Sequence, residues 1–322
     1  MTEIVAADIG GTHARFAIAR IEGARICELS GETILKTAEH ASLPAAWEAF
    51  ARALGRPLPR AAGIAVACPI AGDVLRLTNN PWVIRKSELA GSLGLDRFAV
   101  VNDFGAVANA VGVLGPEHFR HLFGPDRDLA DARVVSVVGP GTGLGVALLA
   151  RGAGGDLVIA AEGGHADFSP LDEVDEQILA YLRQRYRRVS IERVVSGPGL
   201  ANIHAALAAM RGAPVVTEDD AGLWARALGG VDELASAAFE RFCLSLGAAA
   251  GDVALTQGAE AVVIAGGLGL RIADCLRGSG FEGRFLAKGR MESRMAAMPV
   301  KLITHPQPGL FGAAVAFLKD MV

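Results

Sequence analysis

The chain has 322 residues, of which 51% are hydrophobic, 20% are charged and 40 are glycine. That balance excludes a disordered chain, which is poor in apolar residues and strongly charged, and the glycines follow no G-X-Y period. The formal net charge of −4 and a pI near 6.0 argue against a nucleic-acid or anionic-membrane partner, which would favour a basic face. The length exceeds the roughly 250–300 residues at which one core gives way to two, so two domains are expected. Mean hydropathy is high at +0.35, yet no apolar run reaches the ~18 residues that span a bilayer. The first residues, MTEIVAADIGGT, lack the basic segment and apolar core of a secretory signal. A cytoplasmic protein is expected. Cys27, Cys68, Cys243 and Cys275 form no C-x-x-C pair and read as reduced thiols.

In chain order, a short apolar strand, Ile4–Ala7, ends in Asp8-Ile9-Gly10-Gly11-Thr12, and a second strand follows at Phe16–Arg20. Two strands about a glycine turn read as a hairpin. Leu43–Leu54 reads as a helix, Gly63–Ala67 and Phe98–Val101 as strands, and Phe104–Leu114 as a helix. The opening pattern then returns. Strand Val134–Val138, the turn Gly139-Pro140-Gly141-Thr142-Gly143 and strand Val146–Leu149 repeat it, Gly11 falling over Gly141 at an offset of 130 residues. This suggests a duplicated unit. Glu173–Tyr186 has helical periodicity, Thr217 with Asp220 resembles a capping box, and Val231–Gln257 reads as a long apolar helix. Its Gly247-x-x-x-Gly251 is read as close packing of a buried helix. Strand Ala261–Ala265 enters Gly266-Gly267 and a helix from Leu268, before a strand at Val300–Thr304 and a helix at Gly309–Met321. Interleaved strands and helices make the class α/β. A domain break is expected near residues 110–116.

Three glycine loops follow apolar strands: Asp8–Thr12, Gly139–Gly145 and Gly266-Gly267. A phosphate needs several backbone N–H groups aimed at one point, and glycine allows that approach. Thr12 and Thr142 can add hydroxyl donors. Asp8 would repel a phosphate unless a cation lay between them, so it implies Mg²⁺, held directly or through water. Taken singly, each loop reads as a tight turn. Together, with one carrying Asp, they point to a nucleotide. The chain has no G-x-x-x-x-G-K-[ST], and Gly139–Gly143 leads into a strand, which argues against a dinucleotide fold.

Asn102-Asp103 ends an apolar strand at the edge where α/β sheets bind ligands. The pair reads equally as a helix cap. Glu162-Gly-Gly-His165 alone reads as a surface turn, and Glu192 alone as a solvated helix face. No H-E-x-x-H or G-x-S-x-G occurs. His40, His118, His121, His204 and His305 read as surface or packing residues, and Arg183, Arg185, Arg187 and Arg188 as a solvated helix end.

Taken together, DIGGTHAR (8–15), ACPIAG (67–72), TNNPW (78–82), NDFGAVA (102–108) and GPGTGLGVA (139–147) resemble the bacterial glucokinase family of the hexokinase/actin-like ATPase superfamily. EGGHADF (162–168), SIERVVSGPGL (190–200), AGGL (265–268), KGR (288–290) and PGLFGAA (308–314) extend the resemblance nearly end to end. The cysteine-rich zinc motif of the ROK sugar kinases is missing. One departure is His13, beside the phosphate loop, where many members carry Asn.

The resemblance implies ATP-dependent 6-phosphorylation of glucose in a cleft between two ribonuclease-H-like domains, 1–112 with 306–322 and 113–305. It implies Asp103 as catalytic base, with Asn102, Asp103, Glu162, His165 and Glu192 on the sugar hydroxyls. Ala7, Asp8, Ile9, Gly10, Gly11 and Thr12, with Gly141, Thr142 and Gly143, would hold the phosphates, Asp8 holding Mg²⁺ through water. Gly266 and Gly267 would lie against the adenosine. A homodimer and a C-terminal helix returning to the N-terminal domain are also implied. The rival readings are a kinase for another hexose, a sugar-sensing repressor and a structural actin-like ATPase. The seven residues before Asp8 and the negative charge oppose the repressor, and the Glu162–His165 and Glu192 set opposes the structural ATPase.

Overall fold

Along the first strand, β1 (Thr2–Ile9), Val5, Ala7 and Ile9 enter one apolar cluster while Ile4 and Ala6 enter another. That period of two is what a strand buried on both faces requires. The computed structural model describes residues 2–77, 80–214 and 220–321. The chain forms two units: Met1–Leu114 with Val158–Ala160 and His305–Val322, and Gly115–Leu157 with Ala161–Thr304.

In the first unit, β1 turns back into β2 (His13–Glu22), which pairs with β3 (Arg25–Lys36). Helix α1 (Leu43–Leu54) has the bounds its sequence predicts. Ser42 caps its start by accepting from Ala45 N, Gly55 ends it in the left-handed region at φ 69°, and Leu43, Ala46, Trp47 and Phe50 form its buried stripe. Phe16 of β2 stacks on Phe50 and meets Trp47 edge-on, fixing α1 to the sheet. Next come β4 (Ala61–Val66), a small hairpin of β5 (Val74–Arg76) and β6 (Val83–Arg85), α2 (Lys86–Leu93), β7 (Arg97–Asn102) and α3 (Asp103–Val113). The sheet order is β3-β2-β1-β4-β7, with β1, β4 and β7 parallel.

The second unit opens with β8 (Phe119–Phe123), then the hairpin of β9 (Val134–Pro140) and β10 (Leu144–Ala150), and β11 (Leu157–Ala161). Helices α4 (Glu173–Arg183), α5 (Gly197–Met210), α6 (Asp220–Gly229) and α7 (Glu233–Gln257) follow. Then come β12 (Ala261–Ile264), α8 (Gly266–Leu276), α9 (Phe281–Leu286), α10 (Glu292–Ala296) and β13 (Val300–Ile303). Their sheet runs β11-β10-β9-β12-β13-β8. Leaving β8 aside, this is the strand order of the first unit, so the repeat suggested by the sequence is a repeat of topology. The innermost hairpin pairs are Ile9–Ala14 and Leu144–Pro140. Ala14 and Leu144 keep the 130-residue offset (144 less 14), and the first turn is one residue longer than the second.

The final helix, α11 (Pro308–Asp320), packs in the first unit, with Leu310, Ala314 and Phe317 on the Ile4–Ala6 face of the sheet. Three helix bounds differ from the sequence reading by two residues or more. Helix α7 starts two residues later than expected, because Asp232 is its cap and accepts from Ala235 N. Helix α8 starts at Gly266, two residues earlier. Helix α4 stops at Arg183, where Gln184 and Arg185 continue in tighter turns. Gly247 and Gly251 lie against the α9 backbone, where a Cβ would meet the Phe281 and Phe285 carbonyls at 2.2 and 2.9 Å. They are packing residues. Thr217 of the proposed capping box and Thr78 and Asn79 of TNNPW lie outside the described residues. Among those described, no helix is long and apolar enough to cross a membrane.

Candidate active site

In the first unit the β1–β2 turn, Gly10–Thr12, is held from one side. Gly10 N donates to His13 O at 2.9 Å, closing the turn. The Gly11 carbonyl accepts the Thr37 hydroxyl at 2.7 Å and Asn80 Nδ2 at 3.3 Å, and the Thr12 carbonyl accepts Thr37 N at 3.0 Å. With the carbonyls drawn toward Thr37, the Gly11 and Thr12 N–H groups have no partner among the described residues. That is the backbone arrangement an anion fills. Ala7 and Ile9 are fully buried in the core, so only their backbone can face a ligand.

Asp8 sits at the end of β1, its side chain 19% exposed, with Arg15 Nη1 at 3.5 Å from Oδ2. Burial raises its carboxyl above the ordinary range, against the opposing pull of Arg15. The carboxylate also lies against the first turn of α11, where a Cβ on Gly309 would come within 2.8 Å of it. Among the described residues no three His, Cys, Asp or Glu side chains cluster as a metal site. A lone, desolvated carboxylate beside a phosphate-type turn suits Mg²⁺, which keeps its waters and shares few protein oxygens with substrate phosphates.

Asn102 is the cap of α3. Its Oδ1 accepts from Phe104 N and Gly105 N at 2.9 and 3.1 Å, and its Nδ2 donates to Cys68 O at 3.2 Å. Asp103 is the first helical residue, half-buried, with Oδ1 accepting from Phe104 N at 2.9 Å. The cap reading therefore describes the Asn102 amide oxygen. The helix start fixes the position of Asp103.

In the second unit the β9–β10 turn closes by Gly141 N donating to Gly143 O at 2.8 Å, and Gly197 N holds the Gly141 carbonyl at 2.7 Å. Thr142 and Gly143 N–H have no partner among the described residues. The Gly266-Gly267 loop is the first turn of α8, capped by Ala265, which has no side-chain acceptor to offer. Its open N–H groups again suit an anion. Both features fit a nucleotide built on backbone donors.

The Glu162–His165 turn is exposed, with His165 Nε2 at 3.8 Å from Glu162 Oε2. Arg188 Nη2 donates to the His165 carbonyl at 2.8 Å and its Nε to Asp167 at 2.5 Å. Arg188 thus braces this turn, and the reading of its basic run as a solvated helix end does not hold for it. Glu192, in the short 3₁₀ turn Ile191–Arg193, accepts from Leu144 N at 2.9 Å through Oε2. Thr37, Asn80 and Arg188 carry no motif signal for these contacts. Only Asn80 lies in a recognisable stretch, TNNPW.

The glucokinase family model matches residues 5–320. A glucokinase of Zymomonas mobilis is 59% identical over 315 residues, covering 98% of this chain and 97% of the relative. One of Paramagnetospirillum magneticum is 40% identical over 316 residues, covering 97% and 96%. Among solved structures, a glucokinase from an Antarctic psychrotroph is similar with a TM-score of 0.85 and 34% identity, over 99% of both chains.

Proposed function

This chain belongs to the glucokinase family, and from that premise we propose how its residues phosphorylate glucose. The phosphoryl donor is ATP with Mg²⁺, the acceptor is the 6-hydroxyl, and the product is glucose 6-phosphate, the entry of glucose into glycolysis. The working arrangement is two ribonuclease-H-like domains, 1–112 with 306–322 and 113–305, with substrates in the cleft between them. The enzyme is cytoplasmic and homodimeric, as the family resemblance implies.

The repeated hairpin carries the nucleotide assignment. Each turn leaves backbone N–H groups without a partner among the described residues, and of the two turn sequences only the first includes a carboxylate, Asp8. In this reading Gly11, Thr12, Thr142 and Gly143 donate to phosphate oxygens, the start of α8 at Gly266-Gly267 supports the adenosine end, and Asp8 holds Mg²⁺ through water. When bound, Mg²⁺ neutralises phosphate charge. Phosphoryl transfer asks mainly for positioning and charge stabilisation. Asp103 accepts the 6-hydroxyl proton. An ordinary Asp, pKa about 3.9, is a weak base toward an alcohol, so the proton moves late, as the O–P bond forms. Glu162, His165 and Glu192, with the remaining Asn102 N–H, pair with the other hydroxyls. Such a site rejects sugars that leave buried polar groups unpaired.

A coupled assay of ATP consumption over a sugar panel tests this. Turnover with glucose well above that with other hexoses is expected, and no turnover with glucose would overturn the reading.

A further inference from the structure

The assigned sugar residues of the second unit are built on one residue, Leu144, at the end of the nucleotide turn. Leu144 is the first residue of β10 and follows Gly141–Gly143 directly. Its N–H is bound by Glu192 Oε2 at 2.9 Å. Its carbonyl lies under the Glu162–His165 turn, where a Cβ on Gly164 would come within 2.3 Å of it. The Glu192 carboxylate fills the space beside Gly143, where a Cβ would sit 2.4 Å from Oε2. Five residues on, Gly197 N holds the Gly141 carbonyl at 2.7 Å. One segment, 192–197, therefore grips both ends of the turn. Ile191 N in turn donates to Ala166 O at 2.8 Å, tying that segment to the turn bearing His165. Among the described residues Glu192 Oε1 has no protein partner, so one oxygen serves the turn and the other is open to a hydroxyl.

We propose that Glu192 ties the sugar subsite to the nucleotide turn, so that a hexose hydroxyl and the ATP phosphates bind cooperatively through a single carboxylate. This rests on the glucokinase reading. A hydroxyl donating to Oε1 fixes the carboxylate, and the fixed Oε2 holds Leu144 N–H and with it the direction of the Thr142 and Gly143 N–H groups. The coupling is reciprocal, as linkage requires.

The test is calorimetric titration of the full chain with a magnesium-bound, non-hydrolysable ATP analogue, with and without saturating glucose, and the converse titration with glucose. In the wild type glucose tightens analogue binding by about fivefold or more. Glu192→Ala weakens analogue binding about fivefold even without sugar, because the turn loses its anchor, and abolishes the effect of glucose. Glu192→Gln keeps the sugar-free analogue affinity, since the amide oxygen still accepts from Leu144 N. Gly143→Ala displaces the carboxylate and weakens glucose binding, although residue 143 is not assigned to the sugar. Circular dichroism checks each fold, and the Gln and Gly143 variants carry the test if the Ala variant does not fold. Wild-type analogue affinity in Glu192→Ala without sugar, or unchanged glucose affinity in Gly143→Ala, would overturn the tie. A wild-type chain that binds neither ligand would instead overturn the glucokinase reading itself.

Discussion

The Thr37 hydroxyl donates to the Gly11 carbonyl at 2.7 Å across 26 residues of sequence, and its own N–H donates to the next carbonyl, Thr12. Thr37 is 1% exposed, so this pair of bonds is shielded from water. Thr37→Val keeps the shape and the backbone donor but removes the hydroxyl. Losing one such bond costs about 1 kcal/mol, which corresponds to about a fivefold rise in the KM for ATP. The KM for glucose is expected to change little. Steady-state kinetics with each substrate varied in turn checks this, and an unchanged ATP KM would show that the turn holds its shape without Thr37.

At Asp8 stability and the proposed metal-holding role are expected to oppose each other. Desolvation is the largest influence on its carboxyl and Arg15 only partly offsets it. Asp8→Asn removes a buried charge while preserving size, so the variant is expected to melt above the wild type at neutral pH. Its activity is expected to fall by about 10–100-fold, with a higher Mg²⁺ requirement, as for other residues that act on a metal through its water shell. Calorimetry and a Mg²⁺ titration of the rate read the two effects separately. A variant less stable than the wild type would contradict the first.

Asp103→Asn keeps an oxygen able to accept from Phe104 N, the bond seen at 2.9 Å, so the start of α3 is preserved. It removes the carboxylate proposed as the proton acceptor. A fall in kcat of about 10²–10⁴-fold with near-normal melting is expected. Near-normal turnover would remove Asp103 from the role of base.

Acid stability is expected to depend on the ion network under α4. Asp172 caps that helix and meets Arg241 and Arg284, which also reach Asp175, 5% exposed. Burial alone would raise the Asp172 carboxyl, but the Asp175 N–H and the two guanidiniums outweigh it and hold it below its ordinary range. A depressed carboxyl stabilises the fold above its unfolded pKa, about 3.9, and that stabilisation is lost as pH falls through the lower folded value. The wild-type melting temperature should therefore drop steeply below about pH 4. Asp172→Asn, which retains a capping oxygen, should flatten that drop. At neutral pH its cost is about 1 kcal/mol, limited by solvent at a side chain 37% exposed. Equal slopes for both proteins between pH 5 and 3 would refute the assignment, the range being set roughly by the carboxyl value above.

Short-range signals were enough for much of the framework. The apolar run of β1, the Leu43–Leu54 helix, the strand–glycine–strand repeat and the ordered motifs were all legible along the chain. They work because periods of two and 3.6 and helix caps are set by residues a few positions apart. Strand β3 gave no such signal. Seven of its twelve residues, Arg25 to Lys36, are polar or glycine, and many of its side chains face solvent at a sheet edge. Helix α5 was hidden behind Gly197-Pro198-Gly199, which reads as a loop until Ser196 is seen to cap it through Gly199 N. The residues that would bind substrate were visible as motifs, but what holds them was not. Thr37 on Gly11, Arg188 on the His165 turn and Glu192 on Leu144 join positions 26, 23 and 48 residues apart. A side chain's choice of a distant backbone partner follows from packing, so only the tertiary structure decides it.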